Sequence, residues 1–561
     1  MKSVFYAVVI LFCAAALRFY GVNWDQDQHL HPDERFLTMV ASAAKVPATF
    51  SEYINPSVST LNPYNLNFGF FVYGTLPTTL NKIAVQGSTY DSYNGVAIAG
   101  RYMSAIADLA TTLLVILIGR MLVKMYRLDK RLPYISGFLY AVAVLPIQNS
   151  HFFTVDALGT FFMTLSVALA LRARFKMPVL FISLSGLALG LALATKISSL
   201  SVLPLLIGII LISAVVQYRN DEAELRLQHV LEWLLAGCLL VVFVYVTYRV
   251  GDPHVFSSSH IFDPTLNTHF KENIAQLKSF STPSIGLPPS VQWLTKTKIL
   301  FPLRNIAFFG LGIVYFAIML FGMIRMGLSK KPILVLISFW VFALFLYLGI
   351  QFATTMRYFY PLYPYFAIMG AAGYIAIVKR ISNKYRRLGA AIIMAAILIW
   401  PLSFMAIYAR PHSRVSASEW MYDNIPAKAK ILTEYWDDAL PLSLPNTQFN
   451  QYEIVPISVF DADTPEKWVK LNQEFSTADY YILTSNRGYG SIQPASKFYP
   501  KMSVFYNDLF AGTTNFKKVA EFTSYPTLNL GFTAIQFNDQ WSEEAFTVYD
   551  HPKVTVFKRI K

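Results

Sequence analysis

The chain has 561 residues, of which 55% are hydrophobic and 14% charged, with a mean hydropathy of +0.42. Soluble domains carry about 25% charged residues, so this composition excludes a soluble protein and points to repeated membrane crossing. The formal charge of +14 lies mostly in short Lys/Arg clusters between apolar runs, the pattern of cytoplasmic loops, so no nucleic-acid partner is expected.

In chain order, apolar length and charged flanks predict eleven spans. They fall at about 4–21, 98–123, 132–148, 157–173, 178–195, 198–217, 228–248, 303–325, 332–350, 359–378 and 388–408. The first, after Met1-Lys2, reads as a signal peptide or a retained span. Its continuation through Leu17 and Phe19 favours the span, and either way the next loop is external. If the spans alternate, the basic clusters share one side: Arg120, Lys124, Arg127, Lys130 and Arg131; Arg172, Arg174 and Lys176; Arg325, Lys330 and Lys331; and Lys379, Arg380, Lys384, Arg386 and Arg387. That side is the cytoplasm.

The external side receives a loop of about 22–97 rich in Asn, Tyr, Pro and aromatics, a short segment from Asn149 to Asp156, a loop of about 249–301, and everything beyond about 409. The last stretch is more polar. Lys430–Glu434, Tyr480–Thr484 and Val554–Phe557 read as strands, and Thr464-Pro465-Glu466 as a helix start. The expected fold is a mostly α polytopic membrane body over 1–408 with a C-terminal extracytoplasmic α/β domain over 409–561. Cys13 and Cys238 both fall in apolar segments, which leaves no external disulfide and no cysteine-based zinc site.

Chemistry is suggested where charges stand beside apolar runs, because ionised groups there are costly unless paired or used. The first loop contains His31-Pro32-Asp33-Glu34-Arg35-Phe36. Acids after Pro32 suit a helix first turn, and they equally suit catalysis. Asp25, Asp27, His29, His31 and Asp33 alternate, so an extended chain would turn them to one face as ligands for a divalent metal such as Mg, Mn or Zn. The Asp25-Gln26-Asp27 triplet resembles the Asp-x-Asp of nucleotide-sugar enzymes, but it lies on the wrong side of the membrane for their substrates. Asp156, preceded by His151 and Thr154, is a second external acid and reads as a first-turn helix residue or a partner of Asp33. Arg101, Lys196 and Arg357 (with Tyr358) are isolated cations at the same face. Each is open to simple snorkelling; together they suit a phosphate held at the membrane surface.

These residues carry a family resemblance. Asp33-Glu34-Arg35-Phe36, Gly100-Arg101-Tyr102-Met103-Ser104, His151-Phe152-Phe153-Thr154-Val155-Asp156, the stretch Gly190 to Lys196, and Arg357-Tyr358 followed by Pro361 resemble, in order and membrane side, the GT-C glycosyltransferases. The likeness is to the protein O-mannosyltransferase and aminoarabinose-transferase group, which uses polyprenyl-phosphate-linked sugars, and it covers about 1–410. The resemblance implies that Asp33 is a base toward an acceptor hydroxyl or phosphate, with Glu34 completing the doublet. Asp156 would position the acceptor or the developing sugar charge. Arg101, Lys196 and Arg357 would bind the lipid phosphate, with Arg35, His151 and Tyr358 as further substrate-binding residues. The implied reaction is single displacement with inversion at the anomeric carbon. The acceptor is left open as protein, lipid or glycan, and metal dependence is left open too. Trp436-Asp437-Asp438-Ala439-Leu440-Pro441 reads either as an element reaching toward the acceptor or as a surface turn.

A transporter or lipid flippase is the alternative reading, since it would also keep charges in the membrane. Against it, the charges gather at one face and no pair of Gly/Pro-broken helices marks an inverted repeat. A receptor or scaffold built on the C-terminal domain would leave the first-loop acids without a task.

Overall fold

The computed structural model describes residues 2–280, 282–445 and 447–560. Among the described residues, eight helices are long and apolar enough to cross a membrane: Tyr93–Tyr126, Val155–Ala173, Pro178–Thr195, Ile197–Asn220, Ala223–Gly251, Pro332–Gly349, Met356–Arg380 and Arg386–Met405. The other three expected spans take different forms. The first is a shorter apolar helix, Ser3–Phe19. The third divides into Leu132–Ala141 and Val144–Ser150, because Pro146 supplies no N–H and its ring meets the carbonyl four residues back, at Val142. The eighth becomes Leu300–Gly310 and Ile313–Gly327, bent by 118°. Gly312, at φ +84°, makes that corner. Hydropathy runs unbroken through both breaks and cannot register them.

The bundle is held together by close backbone approach and by buried charge. A Cβ on Gly322 would lie 1.8 Å from the Met369 carbonyl oxygen, so helices Ile313–Gly327 and Tyr363–Arg380 meet backbone to backbone. Below the external face, Arg18 donates to Asp108 at 2.5 Å, and the hydroxyls of Tyr140 and Tyr360 donate to the same carboxylate. Arg18 also donates to the Ala141 carbonyl at 2.9 Å. Every group is satisfied, which is the condition for keeping an ion pair in a dry interior.

The C-terminal region builds a five-stranded sheet from β1 (Lys430–Glu434), β2 (Glu453–Ile457), β3 (Tyr480–Leu483), β4 (Phe516–Phe522) and β7 (Val554–Arg559); β5 (Thr527–Asn529) and β6 (Ala534–Gln536) form a separate hairpin. The order is β2-β1-β3-β7-β4. The first three strands are parallel, and β7 runs antiparallel to both neighbours. Helix Pro465–Thr477 crosses between β2 and β3 with Thr464 as its N-cap. Val291 and Leu294, from the loop after Ala223–Gly251, pack into the core of this sheet domain. Tyr408, Val415, Phe546 and Val554 continue the apolar core of the membrane body into the sheet domain. The domain therefore sits directly on the membrane body's external face.

Candidate active site

The first external loop is built from turns. Gln26, Asp27 and His29 have φ of 53°, 65° and 53°, so the two-residue alternation expected of Asp25, Asp27, His29 and His31 does not reach one face. Asp27 is exposed and His29 bonds Asn94 at 2.9 Å. The buried His31 caps helix Pro32–Ala43, its Nδ1 accepting the Glu34 N–H at 3.3 Å, with its ring against Phe152 and Tyr549. Burial pushes its imidazole down to about 4. Among the described residues no group of three or more His, Cys, Asp or Glu side chains is placed to hold a metal ion.

Asp33 and Glu34 begin that helix about 100° apart around its axis and part company. Glu34 turns inward. It accepts from Arg101 Nη2 at 2.5 Å, from Arg101 Nε at 3.0 Å and from the Phe153 backbone N–H at 2.7 Å. Asp25 takes the rest of Arg101, at 2.9 and 2.7 Å, and the Val22 carbonyl accepts at 2.9 Å. Trp24 covers the guanidinium at 5.0 Å. All five N–H donors of Arg101 are thus engaged, inside a triad that is at most 1% exposed. Arg101 was expected at the lipid phosphate; here it ties the first loop to helix Tyr93–Tyr126. His151 is likewise buried, with Nδ1 and Nε2 against the Ile147 and Tyr20 carbonyls at 2.8 and 2.9 Å and its ring stacked on Tyr408. Neither ring nitrogen is open to a substrate.

Asp33 turns outward, about a quarter exposed, and pairs with Arg357 at the start of helix Met356–Arg380. Burial works to raise the Asp33 carboxyl, but the adjacent Arg357 guanidinium, together with His31 and the Tyr73 hydroxyl, outweighs it and holds it down to about 2. Beside this pair stands another. Asp156, in the first turn of Val155–Ala173, accepts from Lys196 Nζ at 2.7 Å. Lys196 occupies the break between Pro178–Thr195 and Ile197–Asn220. The Tyr358 ring is close to both cations, 5.3 Å from Lys196 Nζ and 5.9 Å from Arg357 Cζ. Asp33, Asp156, Lys196, Arg357 and Tyr358 thus come from four separate stretches of chain to one external patch.

The sheet domain adds further groups, of which Glu543 belongs to no motif read in the sequence. Glu543 accepts from the Thr355 hydroxyl and the Met356 N–H, each at 2.8 Å, and so fixes the backbone that presents Arg357. Its carboxyl is raised to about 7 by burial. Arg35 donates to the His29 carbonyl at 2.9 Å and to Asp438 at 2.6 Å. Asp438 and Asp437 both pair with Arg414. The Trp436–Asp438 segment is therefore a strut between the first loop and the sheet domain, although Trp436 itself stays half exposed.

Residues 75–252 match the family model for dolichyl-phosphate-mannose-protein mannosyltransferase. The chain is similar in structure to the oligosaccharyltransferase of Archaeoglobus fulgidus, at 13% identity and a TM-score of 0.52, covering 96% of this chain and 73% of that one. ArnT of Cupriavidus metallidurans aligns at 12% identity and a TM-score of 0.46, covering 99% of this chain and 98% of that one. No curated protein matches the sequence. The family model matches less than half of the chain, and at 13% identity the structural likeness is one of fold alone. Within the chain, the matched segment carries Asp156, Lys196 and the structural Arg101.

Proposed function

We propose that the chain transfers a sugar from a polyprenyl-phosphate carrier to an acceptor at the external membrane face. One observation carries this reading: two acid–cation pairs, Asp33–Arg357 and Asp156–Lys196, flank Tyr358 at the external end of the bundle. The match of residues 75–252 to the dolichyl-phosphate-mannose-protein mannosyltransferase family model supports a lipid-phosphate sugar as donor.

In the proposed reaction the acceptor oxygen attacks the anomeric carbon and the bond from that carbon to the phosphate oxygen breaks. The electron pair leaves with the polyprenyl phosphate and the acceptor proton passes to Asp33. Arg357 and Lys196 bind the phosphate and stabilise the charge it gains on departure. Asp156 holds Lys196 in place and faces the positive charge that develops on the sugar. The Asp33–Arg357 pair adds a sequence to these events. A carboxylate held to about 2 is a weak base. Once the donor phosphate draws Arg357 away, the same carboxylate loses its counter-charge and becomes more basic, so donor binding precedes proton removal.

The test is purified full-length protein in nanodiscs, given a radiolabelled synthetic polyprenyl-phosphate mannose and candidate protein, lipid and glycan acceptors. The proposal expects label on an acceptor with equimolar release of polyprenyl phosphate, and no transfer from a nucleotide sugar. Transfer from the nucleotide sugar, or movement of the lipid across the bilayer without transfer, would overturn it.

A further inference from the structure

The β5–β6 hairpin has no part in the site. Residues 522–538, which contain it, carry no charge. Leu528 pairs with Ile535 and Asn529 with Ala534. A two-residue turn at Gly531-Phe532 closes the hairpin, with the Leu530 N–H donating to the Thr533 carbonyl at 2.9 Å. Gly531, at φ +85°, adopts the left-handed conformation that such a turn needs at its first position. Alternation puts Leu528, Leu530 and Ile535 on one face. Phe532 at the tip is 88% exposed, Leu530 44% and Ile535 45%. A two-stranded hairpin is marginal in water and needs a surface to lie on.

The surface it has is the last span. β5 packs on helix Arg386–Met405. Gln536, Phe537 and Asn538 line one groove with Ala396, Ile397, Ile399 and Trp400 of that helix, and Phe537 meets the Trp400 ring edge-on. Those helix residues lie five to nine positions before Met405, hence ~8–14 Å along the axis from its external end. Ile392, Ile399 and Leu402 of the same helix are exposed apolar side chains whose surroundings are hydrocarbon if the helix spans. The hairpin's apolar face continues that surface. Two further contacts hold it down: Arg410 donates to the Tyr525 carbonyl at 2.5 Å, and Arg304 to the Trp541 carbonyl at 3.2 Å.

We propose that this hairpin is a lipid anchor, with Leu530, Phe532 and Ile535 seated among the acyl chains of the outer leaflet beside the last span. No charged side chain opposes that placement. Tyr525 and Trp541 flank the hairpin as interfacial aromatics. The anchor fixes the sheet domain, and with it Glu543, over the membrane body.

The test uses the full chain with Cys13→Ser and Cys238→Ser, and one cysteine introduced by Phe532→Cys or, separately, Ile535→Cys. Each is labelled with an environment-sensitive dye and reconstituted in phosphatidylcholine/phosphatidylglycerol vesicles. Val469→Cys, on the exposed face of helix Pro465–Thr477, is the aqueous control. The proposal expects both hairpin positions to be quenched by acyl-chain nitroxide lipids and several-fold less by iodide than the control. Iodide quenching equal to that of Val469→Cys at both positions would overturn it. So would shielding from both quenchers, which would mean a protein partner or a second copy on this face. The readout does not depend on sugar transfer.

Discussion

Asp33 and Glu34 are adjacent in sequence and face opposite surroundings: Glu34 is sealed against Arg101 in a dry triad, while Asp33 meets Arg357 in the open patch. The doublet that reads as one catalytic feature divides into a buried half that is structural and a partly exposed half that is proposed to react. Substitutions should separate the two halves by what they damage.

Replacing Arg101 by Met strands Asp25 and Glu34 as buried carboxylates without a counter-charge. Breaking a buried pair in this way costs roughly 3–5 kcal/mol. Arg101→Met is expected to lower the melting temperature sharply and to broaden the size-exclusion profile in detergent. A variant with the unmodified melting temperature would contradict the structural role.

Lys196→Met should leave the fold intact, since Lys196 is partly exposed and its only short ion pair among the described residues is with Asp156. Loss of one preorganised donor to developing charge costs roughly 10²–10³ in turnover. The expected result is a kcat lowered by about 100-fold with a smaller change in donor KM, measured by steady-state transfer. An effect confined to KM would place Lys196 in ground-state binding only.

The Asp33 carboxyl is held to about 2 chiefly by Arg357, against burial. It is therefore ionised in the free enzyme across the working pH range, and Asp33 contributes no acid limb to kcat/KM above about pH 3. Removing Arg357 removes the main lowering influence and leaves burial opposed only by His31 and the Tyr73 hydroxyl. In Arg357→Met the residual kcat/KM should gain an acid limb at or above the ordinary carboxylate range, near 4. An unchanged pH profile would mean that the pair does not govern Asp33.

Glu543 is raised to about 7 by burial. A carboxyl with a raised folded pKa stabilises the fold fully below its unfolded pKa, near 4.3, and loses that contribution as pH rises through about 7. Glu543→Gln keeps an acceptor for Met356 and removes the titration. Its melting temperature should therefore fall less than that of the unmodified protein between pH 5 and 8. Glu543→Ala, which frees the backbone ahead of Arg357, should lower kcat by about 10-fold, with restoration in Glu543→Gln.

Much of the patch was legible because an isolated charge between apolar runs is conspicuous. Asp156, Lys196 and Arg357 each stand alone at an external helix end. The same signal says nothing about which way the charge turns: Arg101 looks identical in sequence, and only the fold shows Asp25 and Glu34 closing on it. The alternation from Asp25 to His31 assumed an extended chain, and left-handed residues at 26, 27 and 29 remove that premise. The strands at 430–434, 480–483 and 554–559 follow from β-rich runs bounded by polar turns. Glu543 left no trace, because its partners at 355 and 356 are far away in sequence and carry no motif.

Asp33 is proposed to take the acceptor proton while Arg357 and Lys196 receive the phosphate. Single-turnover transfer by Asp33→Asn, in protein whose melting temperature and donor binding match the unmodified chain, tests it most directly. The chemical step should slow by at least about 100-fold while polyprenyl-phosphate sugar still binds. Transfer at the unmodified rate by that folded, donor-loaded variant would contradict it.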